Sequence, residues 1–167
     1  MKQYVCGADN GFSGFIVFID IKTSKIEYIE QYPRDNAKHL YELFEKYKPI
    51  YTSLERPFIT RGFSHVSSTN YEIFGRYCQV LEMLDLKYEP VKAATWRKAL
   101  GIKAKGREES KKASIEMCKL VFDKNDLEKL KTTKNVIENR HRVKMTFLDD
   151  NRCESALISL YSLNKVP

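Results

Sequence analysis

Three short segments of β-strand character lie close together in the first 31 residues, and their spacing constrains the fold more than any other feature. Residues 4–8, 15–21 and 26–31 are rich in Val, Ile, Phe and Tyr, and turns of small and polar residues separate them. Such short connections join antiparallel neighbours, because a parallel crossover needs a dozen or more residues. The N-terminal part is therefore predicted to form a three-stranded meander.

Helices and strands alternate after this meander. Apolar residues at helical spacing predict an amphipathic helix over residues 36–48, which Pro49 ends, and residues 50–54 predict the next strand. A loop rich in Gly, Ser and Thr is predicted over residues 59–69. The long helix after it carries one apolar stripe, formed by Tyr71, Phe74, Cys78, Leu81 and Leu84.

The remaining sequence completes an α/β pattern. Residues 88–91 predict a fifth strand, and from Thr95 onward the chain is predicted to be mainly helical, ending in a helix over residues 151–163. Residues 124–144 have the least regular pattern. With 167 residues, 43% of them hydrophobic, the chain is long enough to bury a substantial core. A single globular domain of residues 1–167 is predicted.

Four carboxylates, far apart in the sequence, lie where strands and helices end or begin. Asp9 follows the first predicted strand, Glu55 follows the fourth, and Asp150 and Glu154 lie at the start of the last helix. Carboxylate oxygens are the ligands that Mg²⁺ or Mn²⁺ prefers. Two such ions, typically ~3.5–4 Å apart, can drive phosphodiester hydrolysis. The combination predicts a metal-dependent nuclease.

Each carboxylate also has an ordinary structural interpretation. An Asp before Asn-Gly commonly caps a turn, as Asp9 would, and Glu55 could pair with a neighbouring base. Asp150 and Glu154 share a helix face and repel each other unless a cation lies between them. Alternatively, Asp149 or Asp150 caps the N-terminus of the helix, and the positive end of the helix dipole stabilises the Glu154 carboxylate. Both interpretations hold together if Asp149 caps and Asp150 ligates.

Positive charge is concentrated in one part of the chain. The formal net charge is +7 and the pI is about 9.1, which favours a polyanionic partner such as nucleic acid. The densest basic segment predicts salt-sensitive DNA binding, although a solvated helix face is the alternative. Its members are Lys92, Arg97, Lys98, Lys103, Lys105, Arg107, Lys111 and Lys112.

Cysteine spacing and hydropathy bear on the compartment. Four widely separated cysteines form no CxxC pair, which favours reduced, mostly buried thiols in a cytoplasmic protein over a zinc site or a disulfide framework. Polar residues 9–11 interrupt the apolar N-terminal segment, so no signal peptide is predicted. No segment is long and apolar enough to predict a membrane span.

Four motifs together resemble the RuvC-type Holliday junction resolvases. Residues 7–14 resemble the Gly-x-Asp-x-Gly opening of that family, and residues 54–58 resemble its second acidic motif. Residues 96–102 look like the W-K-K-x-L-G-L segment of phage-encoded members, and residues 149–157 resemble their D-D-N-x-A-D/E-A-L close. The four motifs occur in the family's order and span nearly the whole chain.

This resemblance implies a ribonuclease H-like fold, with a central mixed five-stranded sheet flanked by helices. It also implies a Mg²⁺-dependent endonuclease, with Mn²⁺ as a substitute, that resolves Holliday junctions and other branched DNA as a homodimer. If the chain is phage-encoded, the compartment is the host cytoplasm. In the interpretation we favour, Asp9 bridges two ions, with Glu55 on one side and Asp150 and Glu154 on the other.

The chain departs from the family at the last acidic pair. Familiar bacterial members have two Asp three residues apart, whereas the matching residues here are Asn151 and Glu154. Either Asn151 ligates through its amide oxygen or Asp150 takes its place.

Other residues are candidates for substrate contact. Phe58 matches an aromatic that the family places near the exchange point, and stacking on an unpaired base is worth ~1–3 kcal/mol. A core role for Phe58 is the alternative. Arg61 lies in a loop suited to phosphate contacts. Trp96 is expected to pack beneath the basic segment rather than face a nucleotide, and His141 is interpreted as basic surface.

Two other functions compete with junction resolution. A ribonuclease H acting on RNA–DNA hybrids would use the same chemistry, although residues 96–102 argue against it. A non-catalytic branched-DNA binding protein would use the acids only structurally. Substitution of Asp9 by Asn separates the nucleases from the binding protein, because the binding protein would bind junctions equally well after it and would never cleave.

Overall fold

The central sheet has five strands in the order β3-β2-β1-β4-β5. The computed structural model describes residues 2–33, 36–57, 65–138 and 141–167. Strands β1 (Tyr4–Ala8), β2 (Phe15–Asp20) and β3 (Lys25–Gln31) form the predicted antiparallel meander. Strands β4 (Tyr51–Glu55) and β5 (Tyr88–Val91) extend it in parallel with β1. This mixed five-stranded sheet confirms the predicted fold class.

The register of β1 fixes the position of the candidate acids. Ala8 pairs with Leu54 across the parallel β1–β4 contact. The next residue along each strand is an acid, so Asp9 and Glu55 leave the sheet side by side at the same edge. Parallel strands bring their carboxyl ends to one edge, which is where open α/β sheets usually place their ligands.

Both faces of the sheet are covered, because side chains alternate between the faces. One core cluster includes Cys6 and Phe18 from the strands, packed beneath helices α1 (Ala37–Tyr47) and α2 (His65–Met83). The other cluster includes Val5 and Val17, covered by the C-terminal helix.

Three helices lie between β5 and the C-terminal helix α6 (Asp150–Leu163). They are α3 (Ala93–Ala99), α4 (Arg107–Val121) and α5 (Lys124–Lys129). A two-stranded antiparallel ribbon of β6 (Lys131–Glu138) and β7 (His141–Leu148) lies between α5 and α6 and forms a separate sheet. None of the helices that the structure describes combines the length and apolarity needed to cross a lipid bilayer.

Helix α6 lies unusually close to β1. A Cβ added to Gly7 would lie 2.1 Å from the backbone nitrogen of Ser159, so only glycine fits there. Two buried serines of α6 donate to strand carbonyls: Ser159 Oγ to Val17 at 2.6 Å and Ser162 Oγ to Cys6 at 2.8 Å. These contacts hold the helix that carries Asp150 and Glu154 against the strand that carries Asp9.

Several local predictions are confirmed. Helix α1 begins after Asn36, whose side chain accepts from the His39 N–H, and it ends at Lys48, whose φ is 41°. The four cysteines are free, and three of them are buried: Cys6, Cys118 and Cys153.

Three local predictions need correction. The buried stripe of α2 consists of Ile73, Tyr77, Val80 and Leu81. Phe74, Cys78 and Leu84 pack beside it only partly buried, so the predicted stripe is rotated. Residues 65–69, predicted as loop, belong to α2. The prediction of a mainly helical chain after Thr95 holds for α3–α6 but misses the β6–β7 ribbon, whose exposed strands lack the apolar run that marks a buried strand.

Candidate active site

Asp9 lies directly after β1, where a tight turn shapes its surroundings. The Gly11 N–H donates to Asp9 Oδ1 at 3.0 Å. A Cβ added to Gly14 would lie 2.0 Å from the Asp9 carbonyl oxygen, so this turn requires glycine at residue 14. The pKa of Asp9 is raised to about 6, chiefly by burial and also by two neighbouring carboxylates, while the Gly11 N–H opposes the rise. Those carboxylates belong to Glu154 and Asp150.

Glu55 lies at the end of β4 and is held at two atoms. The indole N–H of Trp96, which is fully buried, donates to Glu55 Oε2 at 2.7 Å. The side-chain amide of Asn10 donates to the Glu55 carbonyl at 2.5 Å, which ties the end of β1 to the end of β4. Burial and the Asp9 carboxylate raise the pKa of Glu55 to about 8, and the Trp96 N–H opposes this rise.

The two acids of α6 each have their own basic partner. Arg97 Nη2 lies 2.6 Å from Glu154 Oε1, and Lys111 Nζ lies 2.5 Å from Asp150 Oδ2. Asp149 is the N-cap, and its side chain accepts from the Arg152 N–H at 3.1 Å. The structure thus confirms that Asp149 can cap while Asp150 remains available for other contacts. The repulsion expected between Asp150 and Glu154 is offset by two separate side-chain cations.

Asn151 also borders the site. Its amide nitrogen donates to Ser13 Oγ at 3.0 Å. Ligation of a metal would use the amide oxygen instead, so the contact with Ser13 and the predicted ligand role involve different atoms.

Three of the four carboxylates line two adjoining clefts, whereas Asp150 is absent from the lining of both. The larger, of about 1130 Å³, is lined by Asp9, Glu55 and several basic residues. These basic residues are Arg56, Lys92, Arg97, Lys98, Lys103 and Lys105. The smaller cleft shares Asp9, Glu55 and Arg97 and adds Arg107, Lys111, Asn151 and Glu154.

Most of the predicted DNA-binding residues therefore converge on the acids. Lys112 is exposed on α4 and is absent from the lining of both clefts. Phe58 and Arg61 lie outside the described residues, as does the side chain of His141.

The chemistry of this site fits a hard divalent cation. The four carboxylates supply oxygen ligands, and Asn70, which lines both clefts, has a buried Oδ1 with no hydrogen-bond partner among the described residues. Within the same part of the chain, no three Asp, Glu, His or Cys side chains are close enough to share one ion. Arg97 and Lys111 balance the acidic charge in this arrangement.

Sequence reasoning missed three contributions to this site. They come from Asn10, Asn70 and the indole N–H of Trp96. For Trp96 a signal existed, because a buried indole N–H usually has a hydrogen-bond partner, and the predicted packing of Trp96 is confirmed by its burial. Asn10 acts through a contact with Glu55, 45 positions away, and Asn70 is brought to the clefts by α2, so neither left a local pattern.

The sheet order, the mixed strand directions and the flanking helices define a ribonuclease H-like fold, and comparison with solved structures agrees. No protein-family model and no curated protein sequence matches the chain. RuvC of Thermus thermophilus in complex with a Holliday junction substrate is similar, with a TM-score of 0.57 and 12% identity over 95% of this chain and 91% of that chain.

Two further structures share the fold. A second structure of Thermus thermophilus RuvC gives a TM-score of 0.60 and 11% identity over 95% of this chain and 92% of that one. The yeast mitochondrial Holliday junction resolvase Ydc2 gives a TM-score of 0.56 and 16% identity over 96% of this chain and 78% of that one. At these identities the similarity establishes the fold, and function has to be argued from the site.

Proposed function

We propose that this protein is a metal-dependent endonuclease that resolves Holliday junctions and other branched DNA by phosphodiester hydrolysis. One observation carries the proposal: acids at the ends of β1 and β4 and on α6 line two adjoining clefts together with basic residues. A nuclease needs this combination, because the acids hold the cations and the basic wall attracts the phosphate backbone. The printed names of the similar structures, RuvC and a mitochondrial resolvase, support branched DNA as the substrate.

Mg²⁺, with Mn²⁺ as a substitute, is the proposed cofactor, with two ions per site. Asp9, Glu55, Asp150 and Glu154 would hold the ions, and Asn151 is the alternative to Asp150. Bound there, the metal supplies acidification of the attacking water and neutralisation of charge on the departing oxygen.

The chain's own residues prepare the acids for this role. The Gly11 N–H and the Trp96 N–H fix the carboxylates of Asp9 and Glu55, and Asn10 fixes the spacing of the two strand ends. Fixed ligands matter, because the supporting hydrogen bonds orient the ligating atoms before the substrate arrives.

The basic wall positions the DNA. Lys92, Lys98, Lys103 and Lys105 line the larger cleft together with the acids, so a phosphate backbone bound to them passes Asp9 and Glu55. Phe58 and Arg61 are proposed to contact the junction from the segment that follows Glu55. Two copies of the chain are proposed to act together, since resolution of a four-way junction cuts two symmetric strands.

A branched-DNA binding protein without nuclease activity is the second candidate. The ion pairs of Arg97 with Glu154 and of Lys111 with Asp150 favour it, because they leave both acids satisfied without a metal. Such a protein would bind junctions equally well after Asp9→Asn.

Cleavage of labelled DNA tests the proposal. The protein is incubated with a four-way junction, a linear duplex and an RNA–DNA hybrid, with Mg²⁺, Mn²⁺ or EDTA. Asp9→Asn is the test variant. Asp85→Asn is the matched control, because Asp85 is exposed, has a φ of 51° that Asn also tolerates, and lies at the opposite edge of the sheet.

Symmetric junction nicks that require metal and Asp9, and that survive Asp85→Asn, are the expected result. Cleavage of the hybrid alone would indicate a ribonuclease H. Tight junction binding without cleavage in either metal would indicate a branched-DNA binding protein without nuclease activity.

A further inference from the structure

The β6–β7 ribbon is the largest element that the candidate active site does not use. Residues 133–136 and 142–147 are exposed, so most of the ribbon extends away from the core. Each strand has eight residues, which corresponds to a length of ~26 Å at ~3.3 Å per residue. An isolated two-stranded hairpin is only marginally stable in water, which suggests that this ribbon serves a partner.

The ribbon is anchored beside the acids of α6. The Asp149 N–H donates to the Leu130 carbonyl at 2.9 Å, joining the two ends of the ribbon. The Arg152 guanidinium donates to the carbonyls of Lys129 and Lys131 at 3.0 and 2.9 Å. Asp150 follows β7 by two residues, so a ligand lying along the ribbon reaches the candidate active site.

The strand register gives the ribbon two different faces, because directly paired residues share a face. Thr133 pairs with Thr146, and their hydroxyls are joined by a 2.9 Å hydrogen bond. Asn135 pairs with Lys144 on the same side. Arg142 lies on the same side. The register also places Lys131, Ile137 and Leu148 on this side. We call the polar residues of the exposed stretch on this side the polar face, and its members are Thr133, Asn135, Arg142, Lys144 and Thr146. The opposite, apolar face holds Lys134, Val136, Val143, Met145 and Phe147.

Charge identifies the partner of the polar face. The segment 131–148 contains five Lys and Arg and one Glu, so it contributes +4 to the chain's net charge of +7. On the polar face, Arg142 and Lys144 are exposed and no acid is a member. Exposed cations beside hydroxyl and amide donors are the groups that bind DNA phosphates.

We propose that the polar face of the ribbon binds the phosphate backbone of a duplex arm of the branched DNA. A strand of the same DNA molecule would lie in the cleft at the same time. This inference rests on the proposed function and deepens it by assigning a second DNA-binding surface. A two-stranded ribbon is also one of the elements that fit the major groove. Its ~26 Å length spans roughly eight base pairs at ~3.4 Å each.

The competing partner is a second copy of the chain bound to the apolar face. The small area of that face argues against it. A two-stranded face of this length, ~26 Å by ~10 Å, offers on the order of 260 Å². Stable protein interfaces bury about 800 Å² on each partner. The ribbon face alone falls well short of that area.

Salt-dependent binding tests the proposal with the full chain. Fluorescence anisotropy follows a labelled four-way junction in EDTA, which prevents cleavage, across a salt series. Arg142→Gln/Lys144→Gln is the test variant. Lys22→Gln/Lys87→Gln removes the same charge from exposed residues at the opposite edge of the sheet and is the matched control. Thermal melting confirms that both variants are folded.

The test variant should lower the slope of log K against log [salt] by about 2, because each phosphate contact contributes about 0.9. Its affinity at 0.1 M salt should fall on the order of tenfold. The control variant should match wild type. The charge-conserving variant Arg142→Lys/Lys144→Arg should have the slope of wild type. Equal slopes for the test and control variants overturn the proposal.

The two proposals fail separately. If wild type cleaves the junction and the test and control variants bind alike, the ribbon inference is wrong and the nuclease stands. If wild type binds with the expected slope change but never cleaves, the nuclease proposal is wrong and the ribbon inference stands. Absence of DNA binding by wild type refutes both.

Discussion

Neutralising Glu55 should stabilise the metal-free protein at alkaline pH. The pKa of Glu55 is raised from its ordinary 4.5 to about 8, chiefly by burial and then by Asp9. A carboxyl with a raised folded-state pKa is favoured in its protonated form, so stability falls as pH rises from about 4.5 through about 8. At about 1.4 kcal/mol for each tenfold change in the ionisation constant, the full loss is about 5 kcal/mol.

Thermal melting in EDTA between pH 5 and 8.5 measures this effect. For a domain of this size, 1 kcal/mol corresponds to about 2–4 °C, so the Tm of wild type should fall by about 10 °C across the range. Glu55→Gln keeps an acceptor for the Trp96 N–H and should remove most of that fall. At pH 8, Mg²⁺ should raise the Tm of wild type more than that of Glu55→Gln, because a bound cation offsets the buried charge.

The matched control is Glu45→Gln, since Glu45 is exposed on α1, a helix that contributes no residue to the lining of either cleft. Its Tm should follow wild type at every pH. The reasoning is refuted if wild type and Glu55→Gln show parallel Tm profiles, or if Glu45→Gln removes the slope as well as Glu55→Gln does.

Three further predictions concern single contacts. Trp96→Phe removes the N–H that donates to Glu55 and should slow single-turnover junction cleavage about tenfold, with weaker Mn²⁺ binding by calorimetry; an unchanged Mn²⁺ affinity would contradict this role. Gly7→Ala places a methyl group against the backbone of α6 and should prevent stable folding, seen as loss of a cooperative melting transition, whereas Gly75→Ala, with open space around it, should melt normally. Asp149→Ala removes the α6 cap and should cost about 1 kcal/mol in urea unfolding; a change below ~0.3 kcal/mol would show that the cap contributes little.

The predicted elements that proved correct are those with strong local patterns. The helix over residues 36–48 carried its own periodicity and cap, and the structure reproduces it within one residue at each end. The β6–β7 ribbon was missed, because β6 has no alternating pattern and the apolar–polar alternation over residues 143–147 is short. The apolar stripe of α2 was only partly correct: Leu81 is buried as predicted, whereas Phe74, Cys78 and Leu84 pack beside the core. Several apolar rows on that helix were available, and only packing against the sheet selects one.

The sequence by itself determined the succession of strands and helices and the positions of the acids at their ends. Those features follow from side-chain periodicity and turn chemistry, which act over a few residues. Only the tertiary structure decided which groups meet: Trp96 with Glu55 across 41 positions, and Arg97 with Glu154 across 57. Such contacts depend on the parallel β1–β4 register and on the packing of α6 against β1, and pairing over these separations has no local signature in the chain.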